Sequence, residues 1–314
     1  MKKNIKNFVL LASIATLIIH IMNRIIDNAA AIKNILKADK GHFYNWRYGN
    51  VYYTKEGSGK PLLLIHDLQP ECSNYEWKNV VQELSRTNTV YTIDLLGCGR
   101  SDRPNLTYTN FLYVELLRDF IKHVIGEKTT MVSTGDSSSI TIMSCNMDPE
   151  QYEKLILINP TELNQLTKMP SKRKNTLKFF LDLPIIGTLI YNLEMQKSRL
   201  AFKYEKSYKN YSITEDVIDA CYEAAHKNKS SGKYLFSSIR TNYTNINIIH
   251  ALKNINQSIC IISSMEKDDY LDIEEEYLFY NPAIECVHLK DTKGLPQLET
   301  PRKLVETIHF IMNS

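Results

Sequence analysis

"PLLLIHDLQPECSNYEWKNVVQELSRTNTVYTIDLLGCGRSDRP", residues Pro61 to Pro104, decides the fold. It opens on the continuous apolar run Pro61–Leu68. A strand with one wet face would alternate polar and apolar residues, so this run suits a strand buried on both faces. A segment of helical period follows, "NYEWKNVVQELSR", and then a second buried run, "TVYTIDLLG". Strand, helical crossover and strand make a parallel unit, whose connection is right-handed.

The alternation extends both ways. Upstream, "FYNWRYGNVYYTKEGSG" reads as two strands joined at Tyr48-Gly49-Asn50, then a Gly-rich turn. Downstream come helix "TNFLYVELLRDFIKHVIG", strand "TTMVST", helix "SSSITIMSCN" and strand "YEKLILINP". Residues Thr161 to about Asn245 break the rhythm and read as an inserted helical lid. Within it, "KRK" (Lys172–Lys174) is read as a solvated helix face rather than an anionic-lipid or nucleic-acid patch. "LPIIGTLIYNL" is read as packing onto the core rather than touching membrane. Strand "QSICIISS", a helix near "DIEEEYLFY", strand "AIECVHL" and helix "PRKLVETIHFIM" resume the pattern. The fold class is therefore α/β, a mostly parallel twisted sheet flanked by helices. The divisions are 1–40, an N-terminal anchor and juxtamembrane helix; 41–160, first part of the core; 161–245, the lid; and 246–314, second part of the core.

The 314 residues suffice for one large domain with an insertion. Net charge is +3, from 38 basic and 35 acidic residues, which argues against a nucleic-acid binder. Heavy use of Lys, Asn and Ile fits an AT-rich bacterial genome. Cys72, Cys98, Cys145, Cys221, Cys260 and Cys286 are scattered without metal-ligand spacing, so small buried hydrophobes are expected and no metal or cofactor.

Lys2, Lys3 and Lys6 precede the apolar run "FVLLASIATLIIHIM", Phe8–Met22. It is short for a full span unless Ile25 and Ile26 extend it, and its length also fits a signal peptide. "RIIDNAAAIKNILKA" continues with helical spacing, which favours an uncleaved anchor through residues 8–26. The basic N-terminal flank places the body outside the cytoplasm, on a single N-terminal pass. The oligomeric state is not readable.

The opening stretch resembles the first half of α/β-hydrolases, in which one strand ends in His-Gly and the next in Asp, apolar, small, Gly, x, Gly, x, Ser. "QSICIISSMEKDD" and "KGLPQLETP" resemble that family's acid-bearing and histidine-bearing segments. The resemblance runs from about Trp46 to Met312. It implies a serine-type hydrolase: a nucleophile on a strained strand-to-helix turn, a histidine base, an orienting carboxylate and two backbone N–H groups facing an oxyanion.

Carried over residue by residue, that machinery is incomplete. His66-Asp67 replaces His-Gly in the oxyanion loop, which also includes Leu68. The Asp67 charge would oppose a developing oxyanion, or its side chain simply bonds the following loop. Pro149, which in the family opens the loop after the elbow helix, sets a register in which the nucleophile position holds Gly135. A slip within "MVSTGDSSSI" (Met131–Ile140) makes Ser137 the nucleophile, or Asp136; otherwise the cluster caps a helix. Ser101 in "GCGRS" sits in a turn and not at the elbow. Asp268 takes the acid's place, with Asp269 as a fallback. The histidine position holds Gly294, which cannot accept a proton. His66 is the nearest substitute base by topology. His288 lies on the last strand, and His123, His226, His250 and His309 read as surface or packing residues. The leading expectation is a catalytically impaired, membrane-anchored protein that binds a small apolar ligand or partner under its lid. The alternative is an active hydrolase of an ester, lipid or similar carbonyl substrate, with Ser137, Asp268 and His66.

Overall fold

The computed structural model describes residues 2–37, 41–209 and 213–313, with side chains from residue 5. Helix α1 (Lys2–Ala30) comes first. Then follow β1 (His42–Trp46), β2 (Gly49–Glu56), β3 (Lys60–Ile65), α2 (Val81–Leu84), β4 (Asn88–Ile93), α3 (Asn110–Phe120), β5 (Thr129–Thr134), α4 (Ser137–Met147) and β6 (Tyr152–Ile158). Helices α5 (Leu163–Leu166), α6 (Lys172–Asp182), α7 (Ile186–Glu194), α8 (Lys197–Lys206), α9 (Glu215–Ser230), α10 (Lys233–Arg240) and α11 (Ile249–Asn254) intervene before β7 (Ser258–Ser264). Helix α12 (Tyr270–Tyr280), β8 (Glu285–Leu289), α13 (Pro296–Glu299) and α14 (Pro301–Asn313) complete the chain.

The sheet order is β1-β2-β4-β3-β5-β6-β7-β8, antiparallel at β1/β2 and β2/β4 and parallel thereafter. The apolar runs account for this. Leu62, Leu63, Leu64 and Ile65 of β3 are fully buried, as are Leu155 to Ile158 of β6. Alternate residues feed two cores. Leu63 and Ile65 pack with α3 and α4, while Leu62 and Leu64 pack with Trp77, Leu84 and the Leu304/Ile308 face of α14. Each such side chain contributes roughly 1.5–3 kcal/mol on burial.

Two local expectations are corrected. The first hairpin turns at Arg47-Tyr48, because Gly49 and Asn50 already belong to β2, where the Asp102 carboxylate accepts from the Asn50 N–H at 2.7 Å. "NYEWKNVVQELSR" is not one helix but a 3₁₀ turn, Asn74–Trp77, and the single turn of α2. Asn74 is pulled out of helical register by the Asp94 carboxylate, which accepts from its N–H at 2.6 Å. The cysteines are all free, five of them buried and Cys286 half-buried.

Candidate functional site

Strand β5 runs into α4 through Gly135 and Asp136. Gly135 has φ +53°, the left-handed conformation of a sharp strand-to-helix turn. The register read from Pro149 therefore puts the strained residue of the elbow at the glycine. A Cβ added to Gly135 would lie 2.5 Å from Oδ1 of Asp67. The Asp67 carboxylate fills the space that a nucleophile's side chain would need.

That carboxylate has a definite seat. Oδ1 accepts from the N–H of Leu68 at 2.9 Å and of Asp136 at 2.8 Å. With Gly135 at the elbow, Asp136 is the residue after the nucleophile position, and Leu68 lies in the loop after β3. Those are the two donors that an acyl-transfer site aims at its oxyanion. Here they are satisfied by a side chain of the protein itself. The two alternatives left open for Asp67 are thus one arrangement: it bonds its own loop and occupies the anion site.

Further carboxylates crowd the same place. Oε1 of Glu76 accepts from the Asp67 N–H at 3.2 Å and from Thr134 Oγ1 at 3.1 Å. Asp136 accepts from Thr161 Oγ1 at 2.6 Å and Gln69 Nε2 at 3.2 Å. Buried Glu71 pairs with Lys203 of α8. Burial and the neighbouring Asp136 charge push Asp67 up to about 7, although Lys203 and the Asp136 N–H pull the other way. Burial and Asp67 push Glu76 up to about 8. Burial also raises Asp136, against its bonds to Thr161 and Gln69 and the Lys203 charge. Burial opposes the Lys203 charge, but Glu71 and its neighbours outweigh that and hold the ammonium above its ordinary range.

The proposed catalytic residues do not meet. Ser137 Oγ is fully buried and donates to the backbone carbonyl of His66 at 2.6 Å, not to its ring. His66 Nε2 accepts from the Leu95 N–H at 3.0 Å, which leaves Nδ1 to donate to the Asp67 carbonyl at 2.7 Å. Burial lowers the His66 pKa, so the ring is a neutral strut between strands. Asp268 is exposed and makes no hydrogen bond or ion pair among the described residues. The assignment of Ser137, His66 and Asp268 to one reaction is corrected accordingly. The helix-cap reading is corrected too: the Asp136 side chain makes no capping bond and turns to Thr161 and Gln69. Ser101 is structural, donating to the Asp94 carbonyl at 2.5 Å and accepting from the Tyr52 N–H at 2.8 Å.

At the histidine position, the Gly294 N–H donates to Glu299 Oε1 at 3.1 Å. The same carboxylate collects the N–H groups of Lys209, Lys293 and Leu295 and the Thr292 hydroxyl. A Cβ at Gly294 would come within 3.1 Å of the Ser207 carbonyl. The loop from Thr292 to Leu295 thus wraps the Glu299 carboxylate. His288 instead meets Glu274 at 2.9 Å on the far side of β8.

Little room remains beside these groups. A cavity of about 10 Å³ lies between Glu71, Cys72 and Glu76 and the residues Tyr204, Val217, Cys221 and Leu298. That is about one water, where a ligand site needs some hundreds of Å³. A larger hollow of about 410 Å³ lies between Asn79–Glu83 and α14 and touches no elbow residue. The described residues include no His/Cys/Asp/Glu group arranged to hold a metal.

The overall fold recurs in known proteins. A serine hydrolase involved in carbazole degradation superposes with a TM-score of 0.72 at 16% identity, covering 87% of this chain and 99% of its own. The chain has the α/β-hydrolase fold. A membrane phospholipase A described as a bacterial virulence factor superposes at 0.69 and 17% identity, covering 100% of this chain and 98% of its own. In sequence, the chain is 28% identical over 109 residues to a soluble epoxide hydrolase of Corynebacterium sp. (strain C12), which is 35% of this chain and 37% of that protein. It is 27% identical over 126 residues to a cis-3-alkyl-4-alkyloxetan-2-one decarboxylase of Shewanella oneidensis, 38% of each. The chain thus spans only about a third of the curated relatives it matches. No family model matches it.

Sequence reasoning missed the acid cluster. Its signal was present in "HDLQPECSNYE", which places three carboxylates within one loop after β3.

Proposed function

We propose that this α/β-hydrolase-fold protein is held in a membrane by α1, is silent as a serine hydrolase, and acts by binding a partner. The observation that carries the reading is the Asp67 carboxylate seated on the Leu68 and Asp136 N–H groups, against a glycine at the elbow. An anion already occupies the donors that would stabilise a transition state, and no imidazole reaches a hydroxyl near them. The small-ligand form of the reading has less support, because the space beneath the helical insertion, the lid of this reading, holds about 10 Å³. A macromolecular partner needs no such cavity.

The anchor is supported by how α1 ends. Ile5–Ala30 is apolar enough to cross a bilayer. Beyond the apolar run the helix and the segment after it dock on the body: Asn192 donates to Asn23 at 3.0 Å, Ser230 bonds Asp27, and Glu223 accepts from the Ile35 and Leu36 N–H groups. A segment destined for removal has no use for such contacts. The full-length likeness to a membrane phospholipase is consistent with an N-terminal helix that is retained.

The test is fluorophosphonate labelling of the detergent-solubilised full chain beside Ser137→Ala. No labelling of either is expected. Labelling that disappears in Ser137→Ala would restore the hydrolase reading.

A further inference from the structure

Helices α6 and α7 form an L, bent by 95°, and together are apolar enough to register as a broken or re-entrant membrane segment. The corner is tight. A Cβ on Gly187 would come 2.1 Å from the Leu181 carbonyl, so only glycine lets the two arms close. The amino-acid pattern suggested that this segment packs inward. Part of it does: Lys178 is buried against Asp182 and Ser237, Asn192 against Asn23, and Leu181 and Tyr191 lie in an apolar cluster. Other large apolar residues point out. Phe179 is 64% exposed, Phe180 50% and Ile186 54%, with Leu177 and Leu193 beside them. Phenylalanines and an isoleucine this exposed on one corner are costly against water.

The position of this patch relative to α1 names its occupant. From Ile5 to Met22, α1 is covered by protein only at Ile19, and then only partly. Twenty residues, Ile5 to Arg24, make about 30 Å of helix, the thickness of a bilayer core. Asn23, the first buried residue of the helix, donates to the Ile185 carbonyl at 3.4 Å and bonds Asn192. The start of α7 is therefore fixed where α1 leaves the bilayer. Ile186 follows directly, and α6 lies one tight corner away. At the far end of α6, exposed Lys172 and Arg173 make no ion pair among the described residues, while Asp182 and Glu194 are already paired with Lys178 and Arg199. Unpaired cations beside exposed phenylalanines suit the interface of an anionic leaflet.

We infer that the α6–α7 corner is a second membrane contact, with Phe179, Phe180 and Ile186 seated among the headgroups and upper acyl chains, and Lys172 and Arg173 on anionic headgroups. The inference rests on the anchor reading of α1. With α1 and this corner both in the bilayer, the insertion cannot swing away from the core without leaving the lipid.

The test uses the full chain in vesicles of phosphatidylcholine with about a quarter phosphatidylglycerol. With Cys286 replaced by serine, single cysteines at Ile14, Phe179, Ile186 and Phe310 carry the fluorophore NBD. Phe310 is exposed on α14 and serves as the lipid-free reference. Doxyl-labelled lipid is expected to remove most of the emission at positions 14, 179 and 186 and leave position 310 bright. Lys172→Glu with Arg173→Glu is expected to weaken quenching at 179 and not at 14. Quenching at 14 with 179 and 186 as bright as 310 would overturn the second contact and leave the anchor standing. A bright position 14 would overturn both. A label at 179 shielded from aqueous iodide yet untouched by doxyl lipid would mean that protein covers the patch, and would also refute the inference.

Discussion

Asp67→Asn isolates the charge seated at the elbow. The amide oxygen can still accept from the Leu68 and Asp136 N–H groups, so the geometry is kept while the charge is removed. Asp67 is raised in the folded protein from 3.8 to about 7, by burial first and the Asp136 carboxylate second. A carboxyl with a raised folded pKa binds more protons in the native state than in the unfolded one. Wild-type stability therefore falls as pH rises from about 4 to about 7, and the full penalty persists above that. At roughly 1.4 kcal/mol per pKa unit, the difference corresponds to at most about 4 kcal/mol. Residual exposure of Asp67 and the shared field of Asp136 reduce this, so about 1–3 kcal/mol is expected. Asparagine removes the dependence. Relative to wild type, the variant should gain little at pH 4 and progressively more up to pH 7, then keep a constant advantage. Melting temperatures of the full chain in detergent micelles, taken from pH 4 to pH 9, read this directly. The gain should be about 2 °C per kcal/mol for a chain of this size. Parallel pH profiles for the two proteins would refute the argument, because Asp67 would then be ionised at no cost in the folded state.

Three further outcomes follow from the same site. Gly135→Ser should destabilise by roughly 2 kcal/mol or more, since it combines φ +53° with a Cβ 2.5 Å from Asp67 Oδ1. Adding Asp67→Gly should recover much of that loss in melts, and additive penalties would contradict the close contact. The double variant should still show no turnover of a p-nitrophenyl ester above background, because Gly294 supplies no base. Lys203→Met leaves Glu71 as an unpaired buried charge and, because Lys203 is half-exposed, should cost about 1–3 kcal/mol by denaturant unfolding near neutral pH, an effect that Glu71→Gln in the same chain should largely cancel.

The sequence carried the sheet because buried parallel strands announce themselves as apolar runs, as Leu62–Ile65 of β3 and Leu155–Ile158 of β6 do. It carried the glycines at positions 135 and 294 because an absent side chain is visible without coordinates. What it could not carry is what lies against each of them. Asp67 is adjacent to His66 in sequence, yet its partner Asp136 lies 69 residues on, and only the pairing of β3 with β5 brings them together. Glu299 reads as an ordinary helix residue until the loop from Thr292 to Leu295 wraps its carboxylate. Ser137 looked available because small polar residues suit both a cap and a nucleophile. The structure separates these roles through one bond, to the His66 carbonyl, that no local pattern encodes. The corner of α6 and α7 shows the same limit: its pattern does not separate buried Leu181 and Tyr191 from exposed Phe179, Phe180 and Ile186. Hydrophobic content predicts burial only when water is the alternative, and at the proposed second membrane contact the alternative is lipid. An apolar segment next to α1 in space, though more than 140 residues from it in sequence, carries no local sign of which solvent it faces.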